Sequence, residues 1–342
     1  MNRRDVLKML VGGGLSLVLG TAPKTVNAQQ IRDRGDLRVL VLSDINGPYG
    51  TVGYGRGVRQ SVGYAVASWR PDIVLSPGDL VAGQNRNLPD ERFAQMWAGF
   101  EREVGSSLRS ANIPFAPAMG NHDASSLTDA DGNYLFARER DAARAFWNDS
   151  RYTPNLWFVD RDDFPFRYTF AFSGQCGEVF VLVWDASSAT LTPETLAWAE
   201  ATLSSERARQ ASVRVVLGHL PLFGIAEGRN NPGNVITGGD AVRRRLEALD
   251  VHTYISGHHH AYYPARRGNL NLLHAGGVGP RRLLGSSQPA RTTVTVMDIF
   301  FWPTVRVRYT TFETAGFEEV GGSSLPPHLD GLNGRVTRHN PV

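Results

Sequence analysis

The stretch IPFAPAMGNHD, residues 113–123, is an apolar run that ends in a glycine followed by amide, imidazole and carboxylate side chains. Four other apolar runs also end in Gly, Asp, Asn or His: LRVLVLSD (37–44), DIVLSPGD (72–79), VRVVLGH (213–219) and HTYISGHHH (252–260). Apolar runs of this length, rich in Val, Ile and Leu, are typical of strands buried on both faces. The sequence therefore predicts buried strands that each end in Gly, Asp, Asn or His.

Helical patterns lie between these runs. After Pro89, apolar side chains recur at three- and four-residue spacing over residues 93–104, and Pro193 opens a second pattern of this kind. Asp240 can cap a third helix over residues 241–249. Strands that alternate with helices predict a layered α/β architecture.

The chain has no Pro/Gly/Ser-rich linker before Gly321, so we expect one domain over residues 29–320. Residues 292–312 alternate apolar and polar positions without a helix and predict an antiparallel hairpin. From residue 321 to residue 342 the chain is rich in Gly and Pro, and we expect a loosely attached tail.

The net charge of +3 arises in the first 28 residues, where Arg3, Arg4, Lys8 and Lys24 stand against Asp5. The remaining chain is neutral, which gives no electrostatic footprint for nucleic acid, and we expect no nucleic-acid partner. Both lysines of the chain lie in this segment. A Walker A phosphate loop and Schiff-base chemistry, which need a lysine, are therefore excluded for the rest of the chain.

Residues 1–28 have the layout of an export signal: a charged start, an uncharged run over residues 9–20 and a small-residue exit at Ala28. The run is shorter than the roughly 20 residues that span a membrane, so we expect no stable membrane anchor. Residues 3–8, RRDVLK, resemble the twin-arginine signal, from which Asn2 and Val6 depart. The resemblance implies export by the twin-arginine machinery, to the periplasm or elsewhere outside the cytoplasm. The alternative is an ordinary secretory signal with two chance arginines.

Polar side chains at the carboxyl ends of strands in an open α/β sheet meet in one crevice. Alternate residues of an extended chain share a face, so we expect Asp44 beside Asn46, and His258 beside His260 with His259 turned away. Mixed nitrogen and oxygen ligands indicate a metal site and suit Zn, Mn, Fe or Co better than Ca. The other candidates at these strand ends are Asp79, Asn121, His122, Asp123 and His219.

The order of these residues resembles that of the calcineurin-like metallophosphoesterase family, over about residues 36–280. The motifs in chain order are Asp44, Gly78-Asp79, Gly120-Asn121-His122-Asp123, Gly218-His219 and Gly257-His258-His259-His260. Five motifs in the family's order, each after a predicted strand, are far more specific than a lone GNHD. Signatures of other hydrolases are missing, since the sequence has no Gly-x-Ser-x-Gly, His-Glu-x-x-His or His-x-His-x-Asp-His.

The resemblance implies a four-layer α/β/β/α sandwich of two mixed sheets flanked by helices. It also implies two divalent or trivalent metal ions at the carboxyl ends of the strands. By the same resemblance Asp79 would bridge the two ions. One ion would be bound by Asp44 and His260, and the other by Asn121, His219 and His258.

As the family's chemistry implies, the two ions would polarise the phosphoryl oxygens and activate a bridging hydroxide for in-line attack on a small phosphoester. His122 would stabilise or protonate the leaving oxygen, and Asp123 would orient its ring. The leading interpretation is an exported, metal-dependent phosphoesterase. The alternative is a non-catalytic metal- or phosphate-binding protein on the same fold, against which the presence of His122 and Asp123 argues.

Asn46 departs from the family pattern, which usually has histidine two residues after the first aspartate. Three interpretations remain open: Asn46 is a weak ligand, a water or another side chain replaces it, or the first metal site is degenerate. Tyr49 and Tyr54 are the nearby candidates for replacement. Purple acid phosphatases lack the same histidine but have a tyrosine three residues after the bridging aspartate, where this chain has Ala82.

Two segments could form walls of the substrate site. Residues 124–177 are rich in arginine and aromatic side chains that could cover the metals and bind a nucleotide or aryl phosphate. The same segment could equally be a solvated excursion packed by its own aromatics. The loop GRNNPGN, residues 228–234, is the second candidate wall. The choice between a monoester and a diester substrate stays open at this point.

Overall fold

Two mixed β-sheets stack between layers of helices in the computed structural model, which describes residue 31 and residues 33–339. The strands are β1 Leu37–Val41, β2 Ile73–Ser76, β3 Phe115–Pro117, β4 Trp157–Asp163, β5 Arg167–Ser173, β6 Glu178–Val183, β7 Val213–Leu217, β8 Thr253–Ser256, β9 Tyr263–Arg267, β10 Leu270–His274, β11 Thr293–Phe300, β12 Arg306–Glu313, β13 Glu318–Glu319, β14 His328–Gly331 and β15 Gly334–Arg338. The six-stranded sheet has the order β13-β12-β11-β1-β2-β3. The nine-stranded sheet has the order β14-β15-β9-β10-β8-β7-β6-β5-β4.

The helices form the two outer layers. They are α1 Arg56–Tyr64, α2 Asp90–Phe100, α3 Ser106–Ser110, α4 Asn121–Ala124, α5 Ala137–Asn148, α6 Pro193–Leu203, α7 Glu206–Arg209 and α8 Gly239–Ala248. Single π-helical turns, Ala65–Trp69 and Glu101–Gly105, continue α1 and α2, and a 3₁₀ turn spans Gly322–Ser324. None of the described helices is long and apolar enough to cross a membrane.

Successive side chains of a buried strand point to opposite faces of the sheet and join two different hydrophobic clusters. In β6, Val179 and Val181 pack toward the six-stranded sheet, whereas Phe180 and Leu182 pack with α6, α7 and α8. Helices α1, α2, α3 and α5 pack with the six-stranded sheet. The predicted four-layer α/β/β/α sandwich is therefore confirmed.

The five apolar runs all form strands, as predicted: β1, β2, β3, β7 and β8. They run parallel to their neighbours in the pairs β1–β2, β2–β3 and β7–β8, so their carboxyl ends point the same way within each sheet. The predicted hairpin is the antiparallel pair β11–β12. Asp240 lies inside the first turn of α8, and the helix begins at Gly239.

The expectation of a loosely attached tail after residue 320 is wrong. β14 and β15 form a hairpin, and β15 pairs with β9, so the segment extends the nine-stranded sheet. Leu329 and Val336 face each other across the hairpin and are 2% and 0% exposed. This pair of buried apolar side chains stabilises the hairpin despite the surrounding Gly and Pro. The predicted export signal, residues 1–28, lies outside the described residues.

The arginines of the 124–177 segment are largely paired with carboxylates. Arg140 lies 2.8 Å from Asp185 and is flanked by aromatic rings, and Arg144 lies 3.1 Å from Asp163. Such pairing, within the segment and with the rest of the protein, argues against a segment that offers free guanidinium groups to a substrate.

Candidate metal centre

Sharp turns at the carboxyl ends of the strands bring the predicted ligands together. The Asp44 N–H donates to the Gly78 carbonyl at 2.9 Å, which ties the loop after β1 to the loop after β2. Gly78 has a φ of 101°, which other residues rarely adopt. Gly120 lies so close to Asp79 that a Cβ there would be 2.1 Å from Asp79 Oδ1. The glycines of the motifs therefore permit the close approach that the site needs.

The first candidate metal site consists of Asp79, His219 and His258, which we call the histidine-pair group. One ligand atom from each lies within 4.8 Å of the others. His219 Nε2 is 3.4 Å from Asp79 Oδ1 and 3.2 Å from His258 Nδ1. Asn121 Oδ1 lies 2.8 Å from both of these ring nitrogens. The predicted ligands Asn121, His219 and His258 are thus brought together around Asp79.

Contacts at the far side of each ring show which nitrogen faces this group. His219 Nδ1 donates to the Pro77 carbonyl at 2.8 Å, so Nε2 of the neutral ring has a free lone pair. His258 Nε2 lies 3.0 Å from Asn234 Oδ1 and 3.1 Å from Arg229 Nη1, so Nδ1 is the ring nitrogen that faces the group. Two imidazole nitrogens and a carboxylate that face one another are a ligand set that fits a metal cation.

The second candidate site consists of Asp44, Asp79 and His260, the carboxylate-pair group, again with ligand atoms within 4.8 Å of one another. His260 Nδ1 donates to the Val278 carbonyl, so Nε2 has the lone pair. This Nε2 is buried, lies 3.3 Å from Asp44 Oδ1 and has no hydrogen-bond partner within the described part of the chain. An unpartnered buried acceptor beside two carboxylates fits a cation, and Asp79 is shared with the histidine-pair group.

The charges in the site are strongly coupled. Burial disfavours the Asp79 carboxylate, but the rings of His219 and His122 outweigh burial and hold the pKa of Asp79 well below its usual range. Burial also disfavours the charged ring of His219, yet the Asp79 carboxylate raises the pKa of His219 to about 9. Burial and the nearby His219 keep the pKa of His258 well below its usual value. A proton and a metal ion therefore compete for His219 Nε2.

The expected extended geometry at the ligands is wrong. Four candidates have a positive φ: Asp44 (49°), Asp79 (56°), His258 (63°) and His260 (50°). β1 and β8 end before these residues, so left-handed turns, and not strand pleats, aim the side chains. The expected alternation still holds in the histidine run, because His258 and His260 point to the two groups and His259 bonds to backbone elsewhere. Such backbone conformations in non-glycine residues are typical of functional sites.

His122 lies beside the shared carboxylate, at the mouth of the site. Its Nε2 is 3.9 Å from Asp79 Oδ2, and its side chain is 15% exposed. Its Nδ1 donates to the Gly83 carbonyl at 3.2 Å, which leaves Nε2 free to exchange a proton with a substrate. The ring of Tyr49, itself 59% exposed, has its centroid 5.1 Å from that of His122.

Asp123 does not form the predicted contact with the His122 ring. Its Oδ1 accepts the N–H groups of Leu80 and Val81 at 2.7 and 2.8 Å, and its Oδ2 accepts the Gly120 N–H at 2.8 Å. The carboxylate turns back because Asp123 is the third residue of α4, from which it accepts the N–H of Gly120 at the N-terminus of the helix. Burial, followed by the charge of Asp79, raises the pKa of Asp123 to about 7. Asp123 thus holds the loop that presents Asp79.

The sequence did not identify the residues that orient Asn121 and His122. Gln84 Oε1 accepts from Asn121 Nδ2 at 2.8 Å, which turns Asn121 Oδ1 toward the histidine rings. Glu139 of α5 accepts the Asn85 N–H at 3.1 Å, and this bond holds the loop containing Gly83 and Gln84. Burial raises the pKa of Glu139. No sequence motif marks Glu139, because its contact depends on how the 124–177 segment packs.

Asn46 lies in the loop after β1, where its backbone contacts the candidate ligand Asp79. Its N–H donates to the Asp79 carbonyl at 3.2 Å, and the residue is 9% exposed. The Tyr54 hydroxyl donates to the Leu80 carbonyl at 2.7 Å, and burial, followed by the charge of Asp123, raises its pKa far above the usual value. Tyr54 is therefore a neutral phenol and a poor replacement ligand. The interpretation of Asn46 as a weak ligand stays a prediction.

Comparison with known proteins identifies the family. No curated protein sequence is significantly similar to the chain. The fold is similar to that of a dimetal phosphatase from Danio rerio, with 14% identity and a TM-score of 0.55 over 84% of this chain and 98% of that one. It is also similar to a purple acid phosphatase from yellow lupin seeds, with 12% identity and a TM-score of 0.58 over 83% of this chain and 52% of that one. The fold is likewise similar to that of GAP50, the anchor in the inner membrane complex of Plasmodium, with 13% identity and a TM-score of 0.52 over 90% of this chain and 89% of that one.

At these identities the structural similarities show the fold alone. The sequence model of the calcineurin-like phosphoesterases matches residues 37–262, a span that contains every ligand candidate described above. With five motifs, the expected sandwich and the clustered ligands in agreement with that match, the chain belongs to the calcineurin-like phosphoesterase family.

Proposed function

We propose that the protein is an exported phosphoesterase that binds two metal ions, from among Mn, Zn, Fe and Co, and hydrolyses phosphate mono- or diesters. The observation that carries this proposal is the pair of ligand groups that share Asp79, with His122 Nε2 3.9 Å from the shared carboxylate. A site that only stores metal needs no titratable side chain at its mouth.

The two groups fit metal ions of mixed nitrogen and oxygen preference. Asp79, Asn121, His219 and His258 would hold one ion, and Asp44, Asp79 and His260 the other. When bound, such ions supply Lewis acidity toward phosphoryl oxygens and an activated water.

The chain itself supplies the proton for the leaving group. Because His122 Nδ1 donates to Gly83, Nε2 is the atom that would take up a second proton and deliver it to the ester oxygen, which returns the ring to its neutral form. Gly83 belongs to the loop that Glu139 holds in place through its bond to the Asn85 N–H. The exposed Tyr49 ring lies next to this position, where an aromatic leaving group could stack on it.

The second candidate function is non-catalytic binding of metal or phosphate. Asn46 favours it, since a missing imidazole weakens the carboxylate-pair group. The fold does not decide between the two, because proteins of similar fold include phosphatases and an anchor protein. The position of His122 favours the enzyme.

The deciding experiment measures metal content of the purified protein and then hydrolysis of one aryl phosphate as monoester and as diester. The metal-free protein is loaded separately with Mn, Zn, Co or Fe. We expect turnover of at least one ester that appears with added metal and disappears with a chelator. Stoichiometric metal binding without turnover of either ester would establish the binding protein instead.

We further propose export by the twin-arginine machinery, supported by the sequence of residues 3–8. Replacing both Arg3 and Arg4 by lysine should leave the protein in the cytoplasm, whereas Lys24→Gln should not change its location. Cell fractionation measures the outcome. Normal export of the double-lysine variant would contradict the twin-arginine route.

A further inference from the structure

Arg229, on the loop of residues 228–234, contacts the ligand candidate His258 at the ring nitrogen that faces away from the histidine-pair group. Its Nη1 donates to Asn234 Oδ1 at 2.9 Å and lies 3.1 Å from His258 Nε2. The guanidinium is half-buried and is attracted by the charges of Asp79 and Asp44. It therefore places a positive charge beside the candidate ligands without touching a carboxylate.

Arg281 brings a second guanidinium to the same place from the loop after β10. The backbone N–H of Arg281 donates to the His260 carbonyl at 3.1 Å, next to the carboxylate-pair group. Its side chain reaches Gly228, where a Cβ would lie 3.0 Å from Arg281 Nη1. Its Nε is buried and has no hydrogen-bond partner among the described residues. Burial and the nearby charge of Arg281 lower the pKa of Arg229, as expected for two cations held side by side.

Among the described residues, Arg229 and Arg281 differ from other partly buried or adjacent arginines in lacking an ion pair. Arg282, the next residue along the chain, lies 3.1 Å from Glu227, and Arg140 of α5 lies 2.8 Å from Asp185. In the described part of the chain no carboxylate lies within ion-pair distance of Arg229 or Arg281. Two adjacent, partly buried cations without a direct ion pair among the described residues cost free energy that an anionic ligand would offset.

His259, the middle residue of the histidine run, fixes the loop that contains Arg229. Its Nε2 donates to the Asn234 carbonyl at 2.9 Å, and its Nδ1 accepts the Ile225 N–H at 3.4 Å. A single neutral tautomer, with its proton on Nε2, makes both bonds. His259 therefore joins the two ends of the loop while His258 and His260 face the ligand groups.

We propose that Arg229 and Arg281 form a clamp for the non-bridging oxygens of a phosphate monoester dianion, with His259 as the positioning residue for Arg229. The guanidinium fork matches phosphate oxygens in geometry and charge. A monoester has three non-bridging oxygens and two charges, whereas a diester has two such oxygens and one charge. Two guanidinium groups beside the ligand groups, without direct ion pairs among the described residues, therefore favour the monoester. This inference rests on the proposed phosphoesterase activity.

The test compares wild type with Arg229→Gln, Arg281→Gln and the charge-conserving Arg229→Lys, all as full-length, metal-loaded protein. Titration calorimetry measures the Kd of inorganic phosphate, and assays measure kcat/KM for one aryl phosphate as monoester and as diester. Each Gln variant should weaken phosphate binding and monoester turnover by roughly 10- to 100-fold, as expected for loss of a charge-assisted hydrogen bond. Arg229→Lys should recover part of the loss, and diester turnover should change by less than about 3-fold.

Arg282→Gln is the matched control, because Arg282 is adjacent in sequence and already paired, and it should leave all values unchanged. His259→Gln should raise KM for the monoester with kcat and metal content nearly unchanged. That split separates loop positioning from general destabilisation, which would also reduce metal content.

Three results would contradict the inference. If both Gln variants bind phosphate with the wild-type Kd, the two arginines do not bind phosphate. If kcat/KM falls equally for the monoester and the diester, the arginines do not select the monoester. If His259→Gln leaves the KM for the monoester unchanged, His259 does not position Arg229. If wild type hydrolyses neither ester while both Gln variants still lose phosphate affinity, the phosphoesterase proposal fails and the anion clamp remains.

Discussion

His122→Ala should lower kcat by about 10²- to 10⁴-fold for every phosphoester that the parent protein hydrolyses, the typical loss on removing a positioned acid. Metal content should stay nearly unchanged, because the His122 ring belongs to neither ligand group. Its Nε2 is 3.9 Å from Asp79 Oδ2, and its other nitrogen is bonded to Gly83. Steady-state kinetics and metal analysis of the same preparations measure the two effects.

His328→Ala is a suitable control, since His328 lies on β14, with a side chain that is 45% exposed. It should retain wild-type kcat and metal content. A His122→Ala protein with wild-type kcat on all substrates would falsify the assignment of His122 as the leaving-group acid. Parallel loss of metal and activity would instead make His122 a ligand.

Asp79→Asn should remove both bound metal equivalents, the largest effect expected on binding. Asp79 is the residue shared by the two groups, and the substitution removes its charge from each. The amide oxygen can still accept the His122 N–H that Asp79 Oδ1 now accepts at 2.9 Å, so the fold should persist. Calorimetric titration of metal into the apo protein measures the stoichiometry, with a thermal melt to confirm folding.

Single-group variants sharpen this measurement. His258→Ala and His260→Ala should each lose one equivalent, whereas His259→Ala should lose none, since its ring is bonded to backbone. Equal metal loss in all three variants would contradict the division into two groups. So would an Asp79→Asn protein that retains one tight equivalent.

The same titration examines Asn46. With an amide oxygen in place of the usual imidazole, the carboxylate-pair group should bind Zn more weakly than Mn, because Zn prefers nitrogen ligands. Asn46→His should tighten the second Zn equivalent. Two equally tight Zn equivalents in wild type, unchanged by Asn46→His, would show that Asn46 does not weaken the site.

Much of the fold was predictable because its signals are local. The five apolar runs are short, β-branched and bounded by Gly, Asp, Asn or His, and each became a strand. The hairpin of β11 and β12 was visible as alternation over residues 292–312. The C-terminal hairpin was not, because its Gly and Pro content obscured the single cross-strand pair of Leu329 and Val336.

The sequence by itself determined the family, the layered architecture and the identity of the candidate ligands, since strand length, residue type and motif order do not depend on distant contacts. Only the tertiary structure decided what those side chains contact. Left-handed turns at Asp44 and His258 aim the ligands, and backbone N–H groups far along the chain turn Asp123 away from His122. Arg229 and Arg281 likewise come together from loops about 50 residues apart in sequence. Whether two charged side chains form an ion pair, and how a ring is oriented, depends on distances between residues far apart in sequence. Local sequence patterns do not encode these distances.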